Sequence, residues 1–260
     1  LPPRITGTVY SSDGGVLSGE PVRDLQRKEV VIENDIGWRV NSAVDFLFGN
    51  PVSFICGAAD DSRGRHIERI LKAVFAANGG TGFFQDMAVM GSVYGFVDCI
   101  VRPSNELTRR RMAGGSSKAV NATDAERLAK EIALELVEAP RALPILDEDD
   151  YKRIRYYMQH FRQRKNSVRG KAGFLSRLLG TDGAERQTTE VTELFSADAW
   201  QRYEDRELVA EGPLPWGFLP VVHIQNIAQP YCYEGLSDVE GLVPLQDELN
   251  TRLSERASRI

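Results

Sequence analysis

Ile36, Val40, Ala43, Val44 and Leu47 recur at helical spacing, and the run stops at Phe48-Gly49-Asn50-Pro51. That pattern predicts an amphipathic helix of about three turns. Val52, Phe54 and Cys56 alternate with smaller residues, which predicts a short strand. A second helix is expected over His66 to Ala77, where Ile67, Ile70, Leu71, Val74 and Phe75 share a face, with Asn78-Gly79-Gly80-Thr81-Gly82 as its end. A third runs from Phe83 through Met87, Ala88 and Met90 to about Val93, and Gly95 to Val101 reads as a buried strand. A helix–helix–strand order fits α+β or α/β architecture.

Ser104 to Asn121 is polar, basic at Arg109-Arg110-Arg111 and rich in Gly and Ser at 114–117, so an exposed loop is expected there. Thr123 with Glu126 fits a capping box opening another helix. Ile132 to Val137 is strand-like, and Pro140 and Pro144 exclude a long helix. Asp147-Glu148-Asp149-Asp150 precedes a stretch in which Ile154, Tyr157, Met158 and Phe161 step like a helix face. Acids ahead of bases complement a helix dipole, so Asp149 to Phe161 is predicted helical. After a Gly-rich basic connector at about 166–186, three strand candidates follow: Val191 to Phe195, Leu208 to Ala210 and Phe218 to Ile224. A turn at Gly212-Pro213-Leu214-Pro215-Trp216-Gly217 joins the last two, and the set predicts an antiparallel meander. Residues 1–35 alternate turn signals with short apolar stretches such as Val30-Val31-Ile32, and no fixed-period repeat is present.

The last segment carries the clearest pattern. Ser237 suits a cap, and Asp238 and Glu240 suit a first turn. Leu242, Leu245, Leu249, Leu253, Ala257 and Ile260 step by three or four, a narrow apolar stripe. Glu248 with Arg252 and Glu255 with Arg259 are i,i+4 pairs in the favourable order. Pro244 should kink or restart the helix. One thin seam between charged flanks suits packing against copies of itself. A terminal helix lying on its own domain shows the same stripe.

Composition narrows the classes. The chain has 260 residues, 42% apolar and 27% charged, which fits one large domain or two modest ones at about 150 residues each. No apolar run approaches the roughly 18 residues of a membrane span. Leu1-Pro2-Pro3-Arg4 resembles neither an initiator Met nor a signal peptide, and the start reads as trimmed. A net charge of −5 argues against sequence-blind gripping of DNA. The charge is uneven: Tyr151 to Gln187 carries ten bases and two acids, leaving +8 there and −13 elsewhere. Such a block is a solvated face or loop, or a site for polyanions or an acidic neighbouring subunit. Arg162, Arg164, Lys165, Arg169 and Lys171 are the candidate contacts.

Cys56, Cys99 and Cys232 are widely spaced and without a CxxC, which suggests reduced thiols. His66, His160 and His223 make no zinc set with them, and neither metal nor cofactor is expected. The glycines at 79–82 lack the Lys-Ser/Thr of a phosphate loop, and Gly91-Ser92-Val93-Tyr94-Gly95 has the wrong order for a nucleophile elbow. His223 in an apolar strand reads as a core or interface histidine. Trp38, Trp200 and Trp216 read as packing residues rather than base-stacking platforms. No catalytic site is expected.

Leu219-Pro220-Val221-Val222-His223-Ile224-Gln225-Asn226, then Gly235-Leu236-Ser237-Asp238-Val239-Glu240, then Leu245-Gln246-Asp247-Glu248-Leu249-Asn250 appear in that order. The order resembles the portal (head-to-tail connector) proteins of tailed bacteriophages, in which a core strand leads through this motif into the long stem helix. Asn41 to Pro51 looks like the family's wing helix and its stop, Arg69 to Val101 like the next wing segment, and Asp149 to Phe161 like the wing helix before the meander. The resemblance touches most of 30–260 and is specific over 218–250; the loop at 104–121 is longer than the pattern requires.

The resemblance implies an α+β wing domain over 1–235 and the beginning of a stem helix over 236–260, with clip, second stem helix, tunnel loop and crown beyond Ile260. It implies a homo-oligomeric ring, typically of twelve subunits, at one capsid vertex of the virion, assembled in the host cytoplasm. Double-stranded DNA passes through such a ring, which docks the terminase motor, capsid or scaffold, and head-completion (adaptor) proteins. Portals are passages rather than enzymes, and the leucine stripe would pack subunits together. Two other classes stay open: a metal-dependent phage nuclease using the acids at 147–150, and a non-viral binding module whose last helix caps its core.

Overall fold

A computed structural model describes residues 30–58, 60–113, 121–151, 153–165 and 187–257. The chain divides into two units, Asp35–Val243 and Leu1–Asn34 with Pro244–Ile260. The expected boundary at 235/236 thus moves to 243/244. The reason is local: the Ser237 hydroxyl donates to the Ser92 and Val93 carbonyls, and Val239 is buried among Val40 and Val44.

The larger unit is α+β. Helix α1 (Asp35–Phe48) buries Val40 and Val44 and packs on α3 (Thr81–Tyr94). Helix α2 (Asp61–Ala77) starts five residues before the apolar periodicity does, because the Asp60 carboxylate accepts the Ser62 N–H at 2.8 Å. Gly79 and Gly80 both take positive φ in the turn to α3, a conformation cheap only for glycine. The strand expected over Val52 to Cys56 is absent. Phe54 instead stacks on Phe75, which stacks in turn on Phe84, and the Cys56 N–H donates to Glu68, so side chains of the helices hold this segment without a ladder.

Two antiparallel sheets follow. In the first, β1 (Phe96–Arg102) lies between β2 (Ala133–Glu138) and β8 (Val221–Gln225). The second is an antiparallel meander, in the order β3 (Ala142–Leu146), β4 (Ile154–Lys165), β5 (Gln187–Phe195), β6 (Ala199–Glu204), β7 (Glu207–Pro213). The expected strands Val191 to Phe195 and Leu208 to Ala210 fall in β5 and β7, but the third, Phe218 to Ile224, is not in the meander: it becomes β8 and pairs with β1, so the turn at 212–217 leads from one sheet to the other. Phe96, Ile100 and Val137 from one sheet meet Ala142, Tyr157 and Phe195 from the other, with Leu214 and Tyr233, in the main core. Asp205 and Arg206 both have positive φ, forming the two-residue turn whose twist suits a β6–β7 hairpin.

Three further expectations are corrected. The stretch Asp149 to Phe161 is not a helix but the turn and strand β4. Tyr157 and Gln159 both face inward with no exposed area, so a buried glutamine interrupts the apolar alternation and leaves Ile154, Tyr157, Met158 and Phe161 at accidental helical spacing. The acidic run forms the β3–β4 turn, where Asp147 Oδ1 accepts the Asp149 N–H. The presumed loop at 104–121 contains helix α4 (Asn105–Met112), which buries no residue. A helix polar all round is held by its caps and ion pairs: Ser104 accepts from Leu107 N–H, and Glu106 pairs with Arg110 and, across to the next helix, Arg127. That helix, α5 (Ala122–Ala129), is capped by Asn121 rather than Thr123. The connector at 166–186 lies outside the described residues.

In the smaller unit, helix α6 (Val243–Ala257) has Pro244 as its second residue, where a missing N–H costs nothing, and a 3-10 turn (Glu240–Leu242) precedes it, as the proline predicts.

Candidate assembly surface

α6 buries none of its described residues. Leu245 is 66% exposed and Leu249 39%, while Leu242, Leu253 and Ala257 are half-buried. Ile260, the last member of the predicted stripe, lies outside the described residues. Glu248 and Arg252 form the expected ion pair at 2.6 Å. The column beside the leucines is Gln246, Asn250, Ser254, and it does something the sequence reading missed. Asn250 Oδ1 accepts the Glu33 N–H (3.0 Å), Gln246 and Asn250 donate to the Glu33 carbonyl, and Ser254 Oγ accepts the Val31 N–H (2.9 Å). Two residues, Val31 to Glu33, thus span the roughly 6 Å rise of one helical turn, which requires an extended backbone at about 3.3 Å per residue. The available signal was the i, i+4, i+8 spacing of three side chains able to hydrogen-bond a passing main chain.

Of the predicted polyanion contacts, Arg162 and Arg164 fall on one face of β4. Arg162 is already paired with Glu190 at 3.1 Å, and Arg164 is exposed opposite Thr188. Lys165 closes the strand, and Arg169 and Lys171 lie outside the described residues.

The chemistry that looks most like a catalytic centre is a joint inside the larger unit. Asp98 on β1 has no exposed area and accepts from Tyr157 Oη (3.0 Å), Tyr233 Oη (2.9 Å) and His223 Nδ1 (2.7 Å). His223 Nε2 lies 2.7 Å from the Tyr233 carbonyl. A carbonyl only accepts, so Nε2 carries a proton and is committed to a structural bond. Both imidazole nitrogens are thus engaged inside the fold, and the ring stacks on the Tyr233 ring with centroids 3.7 Å apart. Burial, then the Asp98 carboxylate, push both tyrosine hydroxyls far above the ordinary phenol range. Burial also pushes the Cys99 thiol up to about 11.

A second joint links the same sheets. Arg102 bridges Glu135 (2.6 Å) and Glu193 (2.5 Å), Gln159 donates to Glu193 (2.7 Å), and Arg202 reaches Glu193 at 3.0 Å. Burial works to raise the Glu193 carboxyl, but Arg102, Gln159 and Arg202 outweigh it and hold the group below the usual glutamate range. Arg141 lays its guanidinium on the Phe161 ring at 4.2 Å, its Nε buried without a hydrogen-bond partner.

Among the described residues no group of three or more His, Cys, Asp or Glu is disposed to hold a metal, and no helix is long and apolar enough to cross a membrane. No family model and no curated protein matches the chain.

Proposed function

We propose that the chain is a subunit of a bacteriophage portal, contributing wing and stem-helix root to a homo-oligomeric ring at one capsid vertex. The observation that carries this reading is the leucine stripe of α6, left open at Leu245 and Leu249 directly after the motif that resembles the entry to a portal stem. A helix whose apolar residues face solvent is completed by association, and identical neighbours supply the same stripe. The α+β body, with helices α1 to α5, central β1 and an antiparallel meander, fits a wing.

In this role the protein is a passage and docking platform. Duplex DNA slides through the ring during packaging by the terminase and leaves through the attached head-completion proteins. A net charge of −5 favours sliding, since each strong phosphate contact would add friction and salt dependence. Electron microscopy of the full-length gene product tests the reading: rings with a central channel are expected, and isolated particles at high concentration would overturn it.

A further inference from the structure

Among the described residues, β8 and the segment at 30–33 both present a backbone edge to which another strand could add. β8 is the last strand of its sheet. The Pro220 carbonyl accepts from Val101, and the Asn226 N–H donates to Gly95, at the two ends of the β1–β8 ladder. Alternation therefore turns the N–H and C=O groups of Val221, His223 and Gln225 away from β1. Among the described residues these groups have no backbone partner. All three residues line an open cleft of about 1040 Å³, together with Tyr151, Arg153 and Tyr231.

The second edge is the segment at 30–33. Val31 and Glu33 direct their backbone groups to α6, so Val30 and Ile32 direct theirs the other way, and their side chains are 74% and 78% exposed. The segment is extended, β-branched at three successive positions, and ends in the Glu33 carboxylate.

We propose that 30–33 of one copy adds as a strand to β8 of a second copy. The inference rests on the portal reading and names a contact within its ring. Main-chain hydrogen bonds along β8 provide the affinity, as in other strand additions. The carboxylate of the incoming Glu33 meets Arg153 at the cleft wall, a charge match that fixes its position. Donor and acceptor surfaces differ, so the contact is head-to-tail, the kind that closes into rings.

The test places the photo-crosslinker benzoylphenylalanine at position 32 in the full chain, mixes ¹⁵N-labelled and unlabelled protein, and maps the crosslinked peptides by mass. Mixed-isotope crosslinks into 219–225 are expected. Crosslinks confined to one chain, or landing elsewhere, overturn the proposal. Rings without the 219–225 crosslink refute the strand addition and leave the portal reading standing, whereas absence of rings refutes both. Ile32→Pro is the second variant. It removes an N–H that the described chain does not itself use, so self-association should weaken at least about tenfold with an unchanged melting temperature. Unaltered association overturns the proposal.

Discussion

The joint between the two sheets and the surface of α6 treat polar and apolar groups in opposite ways. Between the sheets, Asp98, Gln159 and Glu193 are buried and meet partners from three or more elements. On α6, leucines lie open while Gln246, Asn250 and Ser254 bind a main-chain segment. The joint is complete within one chain, so changing it should cost stability. On the proposed function the helix is completed by a second copy, so changing it should cost association and little else.

The sharpest break comes from the joint. Glu193→Ala takes a partner from half-buried Arg102 and Arg202 and from the buried Gln159 amide, and should destabilise the fold by about 3 kcal/mol, read as a lower denaturant midpoint. Next is Gly95→Ala. Gly95 has φ +85°, and an added Cβ would run into the Gly235 carbonyl, so a loss of about 2 kcal/mol or more is expected from calorimetry.

Leu245→Lys with Leu249→Lys probes the other side of the contrast. Unfolding should shift by no more than about 0.5 kcal/mol, since both sites are open, while the sedimentation profile moves to smaller species.

Alkaline pH gives a graded effect. Cys99, Tyr157 and Tyr233 hold their protons more tightly folded than unfolded. Their contribution is complete below the unfolded values, near 9 for the thiol and about 10 for the phenols, and is lost as pH rises through them. Urea midpoints should therefore fall from about pH 9 upward. The smallest effect is chemical: exposed Cys232 should react with a thiol reagent at pH 8 while buried Cys99 reacts only on unfolding.

Much of this was readable from the residues. The helices α1, α2 and α3 and the strand β1 follow from apolar patterning and glycine stops, and β5 and β7 of the meander from their short apolar runs. What escaped was held by polar contacts. Gln159 faces inward and made β4 look helical, α4 has no apolar stripe to betray it, and the Asp98 cluster draws on β1, β4, β8 and the loop after it, which no local spacing connects. The stripe on α6 was legible as a pattern. Its pairing with 30–33 was not, because the partner segment lies more than two hundred residues away.

The most direct measurement is sedimentation of the wild-type chain against the Leu245→Lys, Leu249→Lys variant over a wide concentration range. If identical helices complete one another, the wild type forms multimers that the variant loses while both melt together. Multimers of equal size from both proteins, or a wild type that stays a single particle throughout, would contradict the account.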